Sequence, residues 1–181
     1  MEYYPNTYAL SKTYAEEIVH SYRKKFRIVI SRPSIVVSAW KQPFPGWIEG
    51  YKNGMVGCTI AIARGPMRSM HIRGKTPIEI MPVDITTNAI IAMTYHRTLM
   101  ENDDVFICNL TNSNTIPWSM KKYFDFVIAL SLKYPFDKIL FYPNCTLTEN
   151  NHIDRVRRIF YHYIPAVIAD TFLLIIGQKP R

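Results

Sequence analysis

A tyrosine and a lysine near the start of the sequence have the types and spacing of a proton-transfer pair. Tyr8 and Lys12 are four residues apart in the segment Tyr-Ala-Leu-Ser-Lys, and residues at i and i+4 share one face of a helix. A nearby ammonium favours the phenolate form of a tyrosine. Such a phenol can donate a proton to a carbonyl oxygen as hydride reaches the carbon. The lysine keeps donors for ribose hydroxyls.

The spacing alone does not decide the role of this pair. A second match, Tyr134 to Lys138, contains Pro135 and predicts no helix. The simpler alternative for Tyr8 and Lys12 is a pair on a helix surface without a chemical role. The interpretation therefore depends on the elements that position the two side chains.

Those elements alternate between helices and short apolar strands. Asn6 or Thr7 is a suitable cap for a helix over residues 8–24. A buried strand is predicted at 26–31, followed by a turn at Arg32-Pro33 and extended chain over 34–37. Further strands are predicted at 79–83 and 105–110. A helix over 85–100 would have Asp84 as its cap, and a helix over 115–133 would have Thr115 and Pro117 at its start. The last helix is predicted over 153–176, with a break at Pro165. The alternation predicts an α/β protein.

Composition sets broad limits on the class of protein. The 181 residues are 48% hydrophobic and 20% charged, as in a globular protein. A net charge of +8 indicates either an anionic partner or a solvated basic surface. The three cysteines are far apart and no histidine lies at ligand spacing, so we expect neither a disulfide framework nor a metal site. No nucleic-acid recognition motif is present.

The order of the motifs resembles a known family. Tyr-x-x-x-Lys at 8–12, Arg-Pro at 32–33 and Pro-Val-Asp at 82–84 follow one another as in the extended short-chain dehydrogenases. A narrower resemblance, to the fatty acyl-CoA reductases, covers nearly the whole chain. It rests on residues 5–8, 32–36, 82–84, 165–166 and 177–181, and above all on the run Pro-Phe-Pro-Gly-Trp-Ile at 43–48.

The resemblance implies a fold, a reaction and a cofactor. The fold would be a partial Rossmann-like α/β fold of the extended short-chain dehydrogenase type, lacking the N-terminal nucleotide-binding half. Residues 1–115 would belong to the cofactor- and substrate-binding domain and 116–181 to a helical C-terminal region. The reaction would be NADPH-dependent reduction of a long-chain fatty acyl-CoA to the fatty alcohol.

The resemblance also implies roles for individual residues. Tyr8 would be the general acid, and Lys12 would hold the nicotinamide ribose. The residues bordering the nicotinamide would be Pro33, Ser34, Ile35 and Val36. The stretch 40–70, with Trp47, would form part of the acyl pocket. From charge and clustering alone we add a hypothesis that CoA phosphates meet Arg64, Arg68, Arg73 or Lys75, against the alternative of a solvated basic loop.

One feature of the family pattern is missing. Its glycine-rich phosphate loop lies upstream of the tyrosine, whereas Tyr8 has only seven residues before it and the sequence contains no Gly-x-x-Gly-x-x-Gly. Such a loop and its helix cradle the cofactor pyrophosphate. We therefore expect this chain to be a fragment with little activity alone.

The C-terminal region raises the question of a membrane. Residues 164–176 are apolar except for Asp170 and Thr171, but thirteen residues give roughly 20 Å of helix against a ~30 Å hydrocarbon core. Arginines at 155, 157 and 158 precede this stretch, which suits an interfacial segment over 155–177 as well as a core helix with a basic cap. The family resemblance implies an intracellular protein at the endoplasmic reticulum or peroxisomal membrane.

Two other functions remain open. The chain could be another extended short-chain dehydrogenase, acting on a sterol or a sugar nucleotide. It could also be a non-catalytic partner that associates with a full-length reductase.

Overall fold

The computed structural model describes residues 4–52, 54–112 and 118–179. The chain forms two compact units, each built from two separate stretches of sequence. The first unit comprises Met1–Ile48 and Ile80–Asn112, and the second comprises Glu49–Glu79 and Ser113–Arg181. The division predicted between residues 115 and 116 stays a prediction.

Helices and parallel strands alternate along the described chain. In chain order they are α1 (Thr7–Ser21), β1 (Val29–Pro33), β2 (Ile35–Val37), α2 (Gly54–Ala63), β3 (Ser69–His71), β4 (Ile80–Pro82), α3 (Val83–Thr98), β5 (Phe106–Leu110), α4 (Met120–Lys133), β6 (Thr146–Thr148), α5 (Asn151–Arg158), a π turn (Ile159–Tyr163) and α6 (Ile164–Ile175).

The first unit is built on two pairs of parallel strands. Strand β1 pairs with β5, and β2 pairs with β4, both in parallel. Helix α3 packs against all four strands. Parallel neighbours require a crossover connection, which here contains a helix. The predicted mixed α/β class is confirmed.

The first strand differs from its prediction. It begins at Val29 and continues through Arg32 and Pro33, which lie opposite Asn109 and Leu110 of β5. The predicted turn at Arg32-Pro33 is therefore wrong. Pro33 has no N–H to contribute to a ladder, and its place at the strand end is one of the few that a proline can occupy. The extended chain predicted after it is present as β2, one residue later.

Most of the buried apolar side chains in the described part of the chain belong to the second unit. Helix α2 packs against α4, and their buried residues include Ile62 and Phe124. The Tyr123 hydroxyl lies 2.6 Å from Thr59 Oγ1, so the polar end of this ring has a partner between the two helices. Strands β3 and β6 pair in parallel, and α5 packs against both.

Helix α4 starts later than predicted. Ser119 is its N-cap, and its hydroxyl oxygen accepts from the Lys122 N–H. A short side chain that satisfies a free N–H is what a helix start requires. Thr115 and Pro117, which were predicted to begin this helix, lie outside the described residues.

The irregularity predicted in the last helix takes the form of a π turn rather than a gap. Helical structure runs over Asn151–Ile175, and the π turn spans Ile159–Tyr163, ending two residues before Pro165. Pro165 cannot donate a hydrogen bond to the carbonyl of Tyr161, and its ring crowds that carbonyl. The wider π turn accommodates this loss.

A buried arginine near the end of α3 binds the backbone that follows this helix. Arg97 is 1% exposed; its Nη1 and Nη2 donate to the carbonyl oxygens of Met100 (3.3 Å) and Asn102 (2.8 Å). We expect Arg97→Ala to lower the free energy of unfolding by about 2–4 kcal/mol, because the carbonyls of Met100 and Asn102 lose a charged donor and a cavity remains. Urea unfolding followed by circular dichroism measures this. The exposed Lys24→Ala should stay within about 0.5 kcal/mol; equal effects would contradict the structural role of Arg97.

Candidate functional site

The helix that carries Tyr8 and Lys12 begins as predicted. Asn6 is its N-cap, and its side-chain oxygen accepts from the Ala9 N–H at 2.8 Å. This cap fixes Tyr8 in the first turn and Lys12 one turn later. The Lys12 Nζ lies 5.6 Å from the centroid of the Tyr8 ring, within the range of a cation–π interaction. The two side chains therefore meet on one helix face.

Both members of the pair are accessible. Tyr8 is 70% exposed, and within the described part of the chain Lys12 forms no ion pair with a carboxylate. The phenol oxygen and the ammonium are thus open to a ligand. A tyrosine with a neighbouring cation in such a position can donate a proton to a bound carbonyl oxygen.

A bidentate ion pair ties this helix to strand β1. Arg32 Nε donates to Glu16 Oε1 at 2.9 Å, and Arg32 Nη2 donates to the other oxygen of the same carboxylate. The hydrogen bonds from Arg32 lower the pKa of Glu16 below its ordinary value. Sequence reasoning missed Glu16, although it lies one turn beyond Lys12. The pair fixes the orientation of α1 where β1 approaches its end.

The residues predicted to border the nicotinamide lie at the junction of β1 and β2. The Ser34 N–H donates to the Leu110 carbonyl at 2.9 Å. Among the described residues, the hydroxyl oxygens of Ser31 and Ser34 are buried and have no hydrogen-bond partner. Buried polar groups normally have partners, but these two oxygens are covered by the protein itself, so the exposed surface of this junction comes from its apolar side chains. Pro33, Ile35 and Val36 supply this apolar surface.

Asp84 has a different role from the one predicted. Helix α3 has Pro82 at its N-cap and no side-chain cap. The Asp84 carboxylate instead accepts from the backbone N–H groups of Trp40 (3.0 Å), Lys41 (2.9 Å) and Gln42 (3.1 Å). These hydrogen bonds, with the Trp40 N–H first, lower the pKa of Asp84 from 3.8 to about 2.

The loop held by Asp84 contains the predicted substrate residue Trp47. The Ala39 N–H donates to the Trp47 carbonyl at 2.9 Å, and the Gly46 N–H donates to the Ala39 carbonyl at 2.8 Å. These bonds close the loop over residues 39–47. A cavity of about 460 Å³ lies beside it, lined by Gln42, Pro43, Trp47, Val83, Asp84, Thr87 and Asn88. The irregular stretch of the sequence is thus an ordered loop next to a cavity.

We expect Asp84→Asn to release this loop. At neutral pH the loop should be cut by trypsin after Lys41 roughly tenfold faster, because an amide replaces a charged acceptor of three hydrogen bonds. Since the folded pKa is depressed, the stabilisation in the wild type is full above pH 3.8 and is lost as the pH falls towards 2. Timed proteolysis measures the first effect, and tryptophan fluorescence between pH 5 and 2 measures the second.

Asp125→Asn is the matched control for the Asp84 experiment. Asp125 is exposed and pairs with Lys121 on its own helix, so its substitution should leave cleavage after Lys41 unchanged. If Asp84→Asn is cut no faster than wild type, Asp84 does not hold the loop.

The predicted basic cluster lies in the second unit, and most of it contacts the chain itself. Arg64 Nε donates to the Lys138 carbonyl at 2.8 Å. The Arg68 guanidinium carbon lies 5.1 Å from the Tyr161 ring centroid and 5.8 Å from that of Phe141.

The remaining two cations of the cluster are more exposed. Arg73 Nε is 3.9 Å from Glu149 Oε2, with 81% of the arginine side chain exposed, and Lys75 is exposed. The structure therefore does not direct these four side chains, Arg64, Arg68, Arg73 and Lys75, towards one ligand. Tyr8, Lys12 and the 33–36 segment belong instead to the first unit.

Cysteines and histidines form no metal centre in residues 4–52, 54–112 and 118–179: this part of the chain contains no group of three or more His, Cys, Asp or Glu side chains that could hold an ion. Cys58, Cys108 and Cys145 are free thiols. Burial raises the pKa of Cys145 to about 11, so this thiol stays protonated at neutral pH and is a poor nucleophile.

One helical stretch is long and apolar enough to cross a membrane. By length and composition Asn151–Ile175 qualifies, and none of its apolar window is buried. The exposed residues include Val167, Ile168, Phe172 and Ile175. A single helix of this kind is weak support for a membrane span.

Parallel strands, crossover helices and a Tyr-x-x-x-Lys helix define a Rossmann-like α/β protein. In agreement, the fold resembles the crystal structure of a protein named as an epimerase from Burkholderia cenocepacia J2315, with a TM-score of 0.53 and 14% identity over 87% of this chain and 48% of that one. A family model of an NAD-binding domain, described as "Male sterility protein", matches residues 1–90.

Sequence similarity identifies the family more narrowly. The chain is 33% identical to fatty acyl-CoA reductase 1 of Xenopus laevis over 177 residues and 30% identical to human fatty acyl-CoA reductase 2 over 178 residues. Each match covers 98% of this chain and 34% of the relative. The chain belongs to the fatty acyl-CoA reductase family and spans about a third of the length of these relatives. The NAD-binding family model indicates a nicotinamide cofactor.

Proposed function

We propose that this chain carries the proton-donating part of an NADPH-dependent reductase that converts long-chain fatty acyl-CoA to the fatty alcohol. The observation that carries the proposal is the exposed Tyr8–Lys12 pair on the first turns of α1. Tyr8 would donate a proton to a carbonyl oxygen in each of two reductions, and bound NADPH would supply one hydride to each. The first reduction acts on the acyl thioester, which then releases CoA as the thiol and leaves the aldehyde, and the second acts on that aldehyde to give the alcohol. Lys12 would bind the ribose hydroxyls.

The surroundings of the pair support this assignment. The junction at Pro33–Val36 would face the nicotinamide, with the exposed side chains of Pro33, Ile35 and Val36 beside it. Trp47 and the cavity beside its loop would contact the substrate. The predicted CoA-phosphate role suits the exposed Arg73 and Lys75 better than Arg64, whose Nε already donates to a carbonyl.

The experiment is an NADPH titration by fluorescence on two proteins. One is this 181-residue chain, and the other is a chimera in which the chain replaces the matching third of the Xenopus reductase. We propose that the cofactor phosphates are held by a loop outside this sequence, so only the chimera should bind NADPH and reduce palmitoyl-CoA. Tight binding of NADPH by the chain alone would overturn that view. A chimera that folds and binds NADPH but reduces no acyl-CoA would overturn the proposed reaction.

We also propose that the C-terminal helix contacts a membrane, of the endoplasmic reticulum or the peroxisome. Arg155, Arg157 and Arg158 would lie among anionic headgroups. The apolar part that follows them in the helix Asn151–Ile175, residues 159–175, would extend roughly 25 Å, which is shorter than a ~30 Å hydrocarbon core. The contact that we propose is therefore an interfacial one. Flotation with anionic vesicles tests this, and a chain ending at residue 150 should remain at the bottom of the gradient.

A second candidate function is supported by the outer surface of α1. No residue of this helix is buried, and Tyr14, Ile18 and Tyr22 are exposed. Such a face suits a non-catalytic partner that associates with a full-length reductase. Co-purification with the Xenopus enzyme, weakened by Ile18→Asp, would favour it. The fold also fits other extended short-chain dehydrogenases, which substrate profiling of the chimera would distinguish.

A further inference from the structure

A groove in the second unit runs along one edge of strand β6 and has no role in the function proposed above. Its volume is about 470 Å³. The six consecutive residues 144–149 line it, so β6 borders the groove over its whole length. Helix α4 contributes the side chains of Lys121, Phe124, Asp125 and Ile128. We call this cavity the β6 groove.

The backbone of β6 has hydrogen-bonding groups that its one neighbouring strand does not use. The Thr146 N–H donates to the Arg68 carbonyl at 3.0 Å, and the Ile72 N–H donates to the Thr148 carbonyl at 3.1 Å. In a parallel ladder, residues that bond one neighbour alternate with residues whose N–H and C=O face the other side. The N–H and C=O of Leu147 therefore face away from β3.

These groups of Leu147 are available to a ligand. Leu147 lines the β6 groove, and in the described part of the chain β6 pairs with β3 alone. Among the same residues, none outside this ladder hydrogen-bonds to the Leu147 backbone. An unpaired strand edge is a template for pairing with another chain.

The floor of the groove is apolar and its position is fixed. Phe124 is 1% exposed and Cys145 is 8% exposed, and both line the groove. The Lys121 N–H donates to the Gly74 carbonyl at 2.9 Å, which fastens the first turn of α4 to the segment after β3. The folded unit therefore holds the helix and the strand apart before a ligand binds, which lowers the cost of binding.

The charged side chains around the groove leave one cation without a partner. Lys121 pairs with Asp125, and Arg73 lies 3.9 Å from Glu149. Arg157 of α5 also lines the groove and is half-buried. Across the described residues it forms no ion pair with a carboxylate. A guanidinium in this position favours a ligand that brings a carboxylate, since the two groups can form a bidentate pair.

We propose that the β6 groove binds an extended acidic segment of a partner protein, which adds a strand to β6 and places a Glu or Asp side chain at Arg157. Main-chain hydrogen bonds to Leu147 supply affinity, and side-chain contacts supply specificity, as in other cases of strand addition. Apolar side chains of the segment rest on Phe124. The groove lies within the second unit and uses neither Tyr8 nor Lys12, so its test is independent of the reductase proposal.

The experiment is a fluorescence anisotropy titration of a fluorescein-labelled, end-blocked hexapeptide of alternating valine and glutamate with the purified 181-residue chain. We expect saturable binding, about tenfold tighter than for the matching peptide of valine and lysine. Hydrogen exchange measured with and without the peptide reports on the site of binding. The amide of Leu147 should exchange about tenfold more slowly with peptide bound, and the amides of α1 should be unaffected.

The charge is tested with two arginines of the same helix. Arg157→Met should weaken binding of the valine–glutamate peptide about tenfold, because the carboxylate loses its partner. Arg155→Met removes the same charge from an exposed position outside the groove and should leave binding unchanged. Circular dichroism confirms that each variant is folded.

The backbone contact is tested with two peptides that each contain one ester in place of an amide, at adjacent central positions. An added strand directs alternate N–H groups towards its neighbour. Only one of the two esters should therefore weaken binding, by about fivefold, the loss expected for one hydrogen bond.

Four results would overturn the proposal. Absence of saturable binding would remove the site itself. Equal binding of the glutamate and lysine peptides, or equal weakening by the two arginine substitutions, would mean that Arg157 selects nothing. Equal effects of the two esters, or an unprotected Leu147 amide, would exclude strand addition. Finally, a chimera that binds NADPH but not the peptide would show that the rest of the reductase covers the groove.

Discussion

Tyr8→Phe should lower the rate of palmitoyl-CoA reduction by the chimera about 10²- to 10⁴-fold, the usual contribution of a general acid. The substitution removes only the hydroxyl, and the ring that the Lys12 ammonium contacts remains. The KM for NADPH should change little, because Lys12 and the Pro33–Val36 junction are intact. The measurement is steady-state NADPH oxidation over a range of pH.

Tyr14→Phe is the control for this experiment. Tyr14 lies on the same helix and is also exposed, so its hydroxyl should contribute nothing to the rate. If Tyr8→Phe retains full activity while the chimera itself is active, the proton donor is another group and the Tyr8–Lys12 pair is only a surface feature.

Gly65→Ala should destabilise the second unit by about 3 kcal/mol or more. The residue has a φ of +90°, where a Cβ is strained, and that Cβ would overlap the Phe141 carbonyl. Relief requires the 138–141 segment to move away from Arg64, which breaks the hydrogen bonds between them. Urea unfolding followed by circular dichroism measures the loss of stability.

Gly50→Ala separates the effect of backbone strain from the effect of a steric clash. Gly50 has a φ of +84° but nothing within 4 Å of its Cβ position, so only the backbone strain applies, about 1 kcal/mol. Equal stabilities for the two variants would show that the approach of residue 65 to Phe141 is not close.

The local features of the fold could be predicted from the sequence because their signals are local. A short polar side chain at Asn6 is sufficient to start α1, and alternating apolar and β-branched residues mark β5 within one residue of its observed start. Pro165 marks the break in the last helix for a similar reason, since a missing N–H acts on the preceding turn. The spacing of Tyr8 and Lys12 also needs only one helix to bring them together.

The features that the sequence could not reveal depend on partners far apart in the chain. Asp84 resembles a helix cap in sequence, but its acceptors are taken by backbone N–H groups more than forty residues earlier. Arg32 follows a strand and precedes a proline, which suggests a turn until its pairing with Glu16 and its place opposite Asn109 are known. In both cases a contact with residues distant in sequence determines the role of the side chain, and the preference of the local sequence for a helix cap or a turn does not.

The basic cluster of Arg64, Arg68, Arg73 and Lys75 shows that the partners of candidate site residues are equally hard to predict from the sequence. Proximity in sequence suggested that Arg64 and Arg68 act together on one ligand. In the structure Arg64 bonds a carbonyl of the 138–141 segment and Arg68 contacts two aromatic rings. Neither Phe141 nor Tyr161 gives a sequence signal that it will meet an arginine more than seventy residues earlier.

The π turn makes the number of residues between α5 and α6 as important as their identity. Asp154 on α5 is buried, whereas Ala166 and Ala169 on α6 line an apolar groove together with Met67 and Phe141. Each residue of an α-helix turns the following chain by about 100°. Loss of one residue from Ile159–Tyr163 would therefore rotate α6 by more than a quarter turn relative to α5 and carry both alanines away from the groove. Relatives that keep the groove should keep this length.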